Sequence, residues 1–406
     1  MDNGFIMSFS GGKDSTVTSH IVCKALGTHR VLHIFGDTTL EFPETNTYVE
    51  RFKKAHSKTT PVLSSRNKDK DFEQLCKLLG PPSRVMRWCC TIFKTGAITR
   101  KIQTLFGKKE RIVAFYGIRR SESVSRSKYD RESNSPKIAK QITVSPIIDW
   151  LDFDVWLYLL TTGIDFNRAY RLGYSRVGCW CCPNNSGWSE FLSRVYMPEQ
   201  SAHFRQMLVD FAVSVGKPDA EVYVDTGKWK ARQGGNGIEY AKNAVVEFTP
   251  CATEENAFNY ELSKPITEQL YELFKPFGTL NYEMGNARLG EVYVLNRKGE
   301  VALKLQGRIG TNALKVTIYQ VHLAGARSLK TAEERVKCQL TKYQMCMGCL
   351  ACEGVCKHDA ISIREGEDGS IHYQISEEHC IRCGECVGHF NSGCYMRKVL
   401  ATKRGV

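Results

Sequence analysis

Ser10-Gly11-Gly12-Lys13-Asp14-Ser15 is the stretch on which the fold turns. A short apolar run, Gly4 to Phe9, precedes it. Thr16 to Leu26 follows with helical periodicity and stops at Gly27, a residue suited to ending a helix. Strand, glycine loop and helix in that order put free backbone N–H groups at a helix N-terminus, where an anion is favoured and phosphate oxygens can approach closely. Lys13 can neutralise phosphate charge, and the Ser10 and Ser15 hydroxyls can add hydrogen bonds. The spacing is not that of the Walker A loop, which argues against a generic ATPase.

Outward from the loop the alternation continues. Arg30 to Phe35 and Arg111 to Tyr116 are further apolar runs, closed by Gly36-Asp37 and by Gly117. Such repetition predicts an α/β domain: a parallel sheet with helices on both faces and ligands at the carboxyl ends of the strands. Asp149 to Leu160, rich in Trp and Leu, reads as a packed helix. Near Ala252 the texture changes. Ile266 to Phe274 suggests a helix, Glu291 to Leu295 with Val301 to Leu305 a hairpin over Asn296-Arg297-Lys298-Gly299, and Lys315 to His322 another strand. The expected division is a nucleotide domain over 1–250, an α+β connector over 251–335 and a cysteine-dense domain over 336–406.

A chain of 406 residues has room for two or three cores. No run of about 18 apolar residues offers a membrane span, and Phe5-Ile6-Met7 is too short for a secretory apolar region. The expectation is a cytoplasmic protein without a membrane partner. Most of the 17 cysteines fall in clusters with Cys-x-x-Cys spacing, which in a reducing compartment points to metal binding or chemistry. Cys23, Cys76 and Cys251 stand apart and read as core thiols. Between Arg51 and Lys140 there are 23 Lys/Arg against 7 Asp/Glu. That surplus suits nucleotide phosphates or a nucleic-acid backbone. It is also compatible with a merely solvated face, since no aromatic-interleaved module accompanies it.

The glycine loop is the full signature of the PP-loop family, and the residues around it resemble the sulfonucleotide reductases of that superfamily. Asp37-Thr38-Thr39-Leu40-Glu41-Phe42-Pro43-Glu44-Thr45 looks like their Asp-Thr-x-x-x-Phe-Pro-Glu-Thr stretch. Gly117-Ile118-Arg119-Arg120-Ser121-Glu122-Ser123, with Arg126, resembles their Gly-x-Arg-x-x-Glu-Ser element. Val144-Ser145-Pro146-Ile147, followed by Trp150 and Trp156, is similar to the segment that closes their nucleotide domain. The resemblance covers most of residues 4–190. It implies an adenine-nucleotide α-hydrolase-like sheet and ATP as cofactor, cleaved between the α- and β-phosphates. Lys13, Asp14 and Ser15 become the catalytic candidates. Arg119, Arg120 and Arg126 become anion contacts, since guanidinium forks suit phosphate and sulfate, and Asp14 and Asp37 become magnesium or nucleotide contacts.

Cys89-Cys90 and, far downstream, Cys179-Trp180-Cys181-Cys182 resemble the cluster-binding pattern of the iron–sulfur adenylylsulfate reductases. The resemblance assigns Cys89, Cys90, Cys179 and Cys182 to a 4Fe–4S cluster, with zinc as a structural alternative. Cys181 is left to substitute for a ligand, carry a persulfide or pack. In the tail, Cys346-x2-Cys349-x2-Cys352-x3-Cys356 has bacterial ferredoxin spacing, and Cys380-x2-Cys383-x2-Cys386 with Cys394 forms a second run. By the two-cluster ferredoxin pattern, Cys346, Cys349, Cys352 and Cys394 hold one 4Fe–4S cluster. Cys380, Cys383, Cys386 and Cys356 hold the other. Lys357, where a proline usually follows, and the long gap before Cys394 depart from that pattern; Cys338 has no assignment.

These parts are similar to the ATP-pyrophosphatase component of DNA phosphorothioation systems. The resemblance implies an enzyme that adenylates an acceptor for sulfur incorporation, with DNA or RNA as acceptor. A cysteine desulfurase would be the sulfur donor, and other sulfur-modification proteins would be partners. The second expectation is a sulfonucleotide reductase making sulfite with electrons from its own ferredoxin-like tail. Against it, no C-terminal Glu-Cys-Gly-x-His segment is present. A third is a nucleotide-sensing scaffold that never turns ATP over.

Overall fold

The computed structural model describes residues 4–400 apart from 69, 107–110, 136–137, 139–140, 231–245, 368–369 and 391–392. Lys140, the end of the basic stretch, therefore lies outside the described residues. The chain forms two compact units, 1–77 with 81–232 and 78–80 with 233–406. Among the described residues no helix is long and apolar enough to cross a membrane.

The first unit is built on β1 (Phe5–Phe9), β2 (Leu32–Asp37), β3 (Val62–Arg66), β4 (Ile112–Phe115), β5 (Glu132–Asn134) and β6 (Gln141–Val144). Their order is β3-β2-β1-β4-β6-β5, all parallel except the edge strand β5, which runs antiparallel to β6. Alternation along β1 shows why both faces need helices. Met7 and Phe9 pack with Val22 of α1 (Lys13–Leu26) and with Val49 and Phe52 of α2 (Pro43–Ala55). Ile6 packs on the opposite face with Ile102 of the helix Ala97–Leu105. Strand order reverses between β1 and β4, and open α/β sheets bind ligands at such a switch point, beyond the carboxyl ends of the strands. The glycine loop follows β1 and Gly117 follows β4, so both arrive there.

The second unit holds a six-stranded antiparallel sheet ordered β7-β8-β12-β11-β10-β9. Its strands are β7 (Glu247–Pro250), β8 (Ala257–Glu261), β9 (Thr279–Asn281), β10 (Glu291–Leu295), β11 (Val301–Gln306) and β12 (Ala313–Ile318). The expected hairpin is β10–β11, and the expected helix over 266–274 is shorter, Glu268–Glu272. β7 falls inside the span 1–250 yet pairs with β8. A second hairpin, β13 (Ile361–Glu365) with β14 (Ile371–Ile375), lies within the cysteine-dense segment. One apolar core runs from Tyr260, Leu305 and Val316 through Val336 and Leu340 to Ile363 and Val387. Residues of the expected connector and cluster domain share it because the helix Leu329–Met345 straddles position 335.

His33 ties β2 to α1. It is fully buried, its Nε2 lies 2.6 Å from Ser19 Oγ, and its Nδ1 lies 3.1 Å from the Val31 carbonyl. Burial pulls its imidazole down to about 4. The folded protein thus holds His33 neutral, a stabilising contribution that is complete above its ordinary value near 6.5 and is lost as pH falls toward 4. The loss is expected to approach 1.4 kcal/mol per pH unit. Denaturant unfolding of the first transition between pH 7 and 4 should show this slope, and His33→Gln should flatten it.

Candidate functional site

The loop is shaped by glycine where side chains cannot fit. Gly11 has φ +70°, and a Cβ there would stand 3.1 Å from a Thr45 methyl and 3.2 Å from a Val49 methyl. Gly117 lies against the start of α1: a Cβ would be 2.6 Å from the Asp14 carbonyl carbon and 2.8 Å from Ser15 N. Two residues that sequence patterns did not single out hold the loop from outside. Asn167 Nδ2 donates to Gly11 O (3.0 Å) and Thr45 Oγ1 (2.9 Å), while Tyr170 Oη accepts from Lys13 N (2.9 Å). Ser10 and Ser15 bond to each other across the loop, at 3.1 Å between hydroxyls.

Charge is concentrated at this point. Lys13 and Arg119 are each 5% exposed. Arg119 Nε donates to Asp14 (2.5 Å), and Lys13 Nζ and Arg119 Nη2 converge on Asp152 Oδ1 at 3.0 and 2.9 Å. Burial pushes the Asp152 carboxyl up, but Lys13 and Arg119 outweigh it and hold the group below the usual carboxylate range. Arg126 pairs with Glu122 and lies within electrostatic reach of Arg119, Asp14 and Arg176, and its guanidinium is lowered chiefly by burial. Arg120 does not join them; it pairs with Asp149 and donates to Tyr129 O. Asp37 ends β2 and accepts from Thr39 N (2.9 Å), apart from the Asp14 network. Among the described residues no three His, Cys, Asp or Glu side chains converge as one bound metal ion requires.

The thiols of the first unit meet at the carboxyl end of β2. Cys179 bridges to Glu41 backbone-to-backbone, Trp180 N donates to Leu40 O (2.9 Å), and Thr38 Oγ1 lies 3.4 Å from Cys179 Sγ. Cys90 opens a π-helical turn, Cys90–Gly96, a feature that often accompanies functional sites. Cys90, Cys179 and Cys182 lie within electrostatic reach of the Cys89 thiol, from two segments about 90 residues apart. A hydrogen bond with Cys90 and burial raise the Cys89 thiol, and burial raises Cys179 to about 12. Burial also raises Cys182, against the opposing pull of Arg176 and Arg87. The donor set, four soft thiols, has the chemistry of an iron–sulfur cluster site. Cys181 is buried beside Cys76.

Cys346, Cys349, Cys352 and Cys394 are mutual electrostatic neighbours. Cys356, Cys380, Cys383 and Cys386 line one open cleft of about 350 Å³. Cys23 and Cys76 are buried as core thiols. The same reading fails at Cys251, which is only half-buried. Hydrogen bonds from Thr253, with nearby Lys315, lower its thiol to about 7; it sits at the end of β7, where a sheet edge gives it no apolar cover.

A phosphoadenosine phosphosulfate reductase domain model matches residues 4–185, over the loop, Arg119 and the first four thiols. The chain carries a phosphoadenosine phosphosulfate reductase domain. A 4Fe-4S dicluster domain model matches residues 345–389, making the tail a ferredoxin-like 4Fe–4S domain. An uncharacterized protein of Methanocaldococcus jannaschii is 32% identical over 223 residues, 55% of this chain and 51% of its own. An adenosine 5'-phosphosulfate reductase of Anoxybacillus flavithermus is 34% identical over 155 residues, 37% of this chain and 60% of that protein. This chain thus spans roughly half the length of these relatives. A solved phosphoadenylyl-sulfate reductase from Candida auris, in phosphate complex, shares 19% identity over 43% of this chain and 82% of its own, with a TM-score of 0.33.

In the reductase-type domain, Asp152 occupies the cations an incoming anion would need. Asp152→Asn is therefore expected to raise affinity for inorganic phosphate or adenine nucleotides about 5-fold at low salt. Lys13→Ala should weaken it by 10-fold or more, both read by calorimetry. Unchanged affinity in Lys13→Ala would remove the loop from the binding site.

Proposed function

We propose that this protein is an ATP pyrophosphatase of the reductase-like PP-loop type that activates an acceptor for sulfur incorporation, with a nucleic-acid backbone as that acceptor. The observation that carries the reading is the shared position of Arg176. It is an electrostatic neighbour of Arg126 and Tyr170 beside the loop and also of Cys182 in the thiol set. This supports a reading in which an anion held by Lys13, Arg119 and Arg126 would share one electrostatic neighbour with the thiol set. Lys13 and the α1 N-terminus are suited to hold the departing pyrophosphate as negative charge develops, the usual largest source of phosphoryl-transfer catalysis.

A non-bridging phosphate oxygen of the acceptor attacks the α-phosphorus of ATP, releasing pyrophosphate. A persulfide, supplied by a cysteine desulfurase, then attacks the activated phosphorus and AMP leaves. Cleaving the remaining S–S bond takes two electrons, which 4Fe–4S clusters held by the assigned thiols would supply from an external low-potential donor. Asp14 and Asp37 are the candidates for holding magnesium with the nucleotide, and the Lys/Arg surplus between Arg51 and Lys140 supports a polyanionic acceptor.

A second reading is sulfonucleotide reduction, favoured by the similarity to adenosine 5'-phosphosulfate reductases. Incubating anaerobically purified protein with ATP and separating the products distinguishes them. AMP and pyrophosphate, released faster with DNA or RNA present, are expected. ATP left intact, with sulfite formed from adenylylsulfate and reduced ferredoxin, would replace this reading with the second. About twelve iron atoms per chain are expected under either.

A further inference from the structure

Lys342, on the helix Leu329–Met345, is 1% exposed, yet no carboxylate pairs with it among its described contacts. Its Nζ donates to the carbonyl of Cys386 at 2.7 Å and stands 5.6 Å from the centre of the Tyr373 ring. Neither partner carries negative charge, and burying an uncompensated ammonium costs several kcal/mol. The ionisable groups within its electrostatic reach are the thiols of Cys352, Cys386, Cys394 and Cys346. Cys346, Cys352 and Cys394 belong to one tail set and Cys386 to the other, so one cation serves both. The acidic residues buried in this unit, among the described residues, are committed elsewhere: Glu353 accepts from Ile363 N (2.6 Å) and Arg364 (3.3 Å), and Glu333 pairs with Lys337 (2.6 Å).

A buried cation surrounded by thiols and lacking a carboxylate is balanced only if the thiols bear net negative charge, as they do when ligating iron–sulfur clusters. We propose that Lys342 is the shared counter-charge of the two tail clusters and raises the reduction potential of both. This rests on the cluster reading of the eight tail cysteines. Net charge and hydrogen bonding around the sulfurs are the protein's levers on cluster potential. Each cluster becomes more negative when it accepts an electron, so a fixed cation in a low-dielectric site stabilises the reduced form more than the oxidised one. Lys342 touches no substrate and is a positioning residue for charge.

The test uses the full chain, purified anaerobically, with iron analysis and EPR-monitored redox titration of wild type, Lys342→Met, Lys342→Gln and Lys342→Arg. The tail signals are identified as those lost in a Cys352→Ser, Cys386→Ser variant. Both tail potentials should become more negative in the Met and Gln variants and stay near wild type in Arg. Gln keeps a donor for Cys386 O without the charge, so a shift in Met alone would assign the effect to that hydrogen bond and overturn the proposal. Unshifted potentials with iron retained would also overturn it. Loss of tail iron in Met and Gln but not in Arg would support a required counter-charge, whereas loss in all three would show that only the shape of lysine matters. Wild type without iron would defeat the cluster reading itself, separately from the role of Lys342.

Discussion

A positive charge taken out of water must find an anion, and much of this protein is arranged around that constraint. Lys13 and Arg119 are buried at the N-terminus of α1, where the helix dipole already disfavours a cation. Asp14 and Asp152 offset them internally, at contacts of 2.5 to 3.5 Å. The sheet explains why the charges meet. β1 and β4 are neighbours at the switch point, and only a glycine at 117 lets the chain after β4 reach the backbone of Asp14 and Ser15. A side chain there would push Arg119 away from the loop and leave Asp14 and Asp152 with Lys13 as their shared cation.

The same constraint returns in the second unit with a different solution. Among the described residues Lys342 is buried with no carboxylate paired to it, in electrostatic reach of thiols of two sets, and its ammonium donates to the Cys386 carbonyl. In one unit the compensating anion is part of the chain; in the other it has to arrive with a metal centre. Thiols suit that task because burial keeps them protonated until metal displaces the proton, coupling cluster assembly to the loss of those protons. Cys179, Cys346 and Cys386, all raised to about 12 by burial, show the first half of that exchange.

In the reductase-type domain, phosphate-binding and sulfur-binding parts are held by neighbouring strand ends, not by long loops. The turn after β2 carries Thr38 and Glu41 to Cys179, and the turn after β1 carries Lys13 to Asp152. The parallel sheet therefore fixes where the glycine loop and the turn that meets Cys179 stand relative to each other. That arrangement is economical for chemistry that activates phosphorus or sulfur before a sulfur atom is moved or reduced.

Much of this was legible in the sequence because the signals are local. The order of strand, Ser10–Ser15 loop and helix, the Cys-x-x-Cys runs and the β10–β11 hairpin each depend on residues close along the chain. The residues that complete the sites were not legible. Asp152, Asn167, Tyr170 and Arg176 lie over 130 residues from the loop, and nothing in their local patterns marks them. Cys251 read as a core thiol because isolated cysteines usually are; its place at the end of an edge strand made it half-exposed and acidic instead. Nothing in the local sequence around Lys342 marks it as buried. By itself the sequence determined the α/β class, the phosphate loop and the sets of thiols, since backbone geometry and ligand spacing are written in short stretches. Only the tertiary structure decided which charges are buried together, because burial and pairing depend on segments that meet solely when the sheets close over their cores.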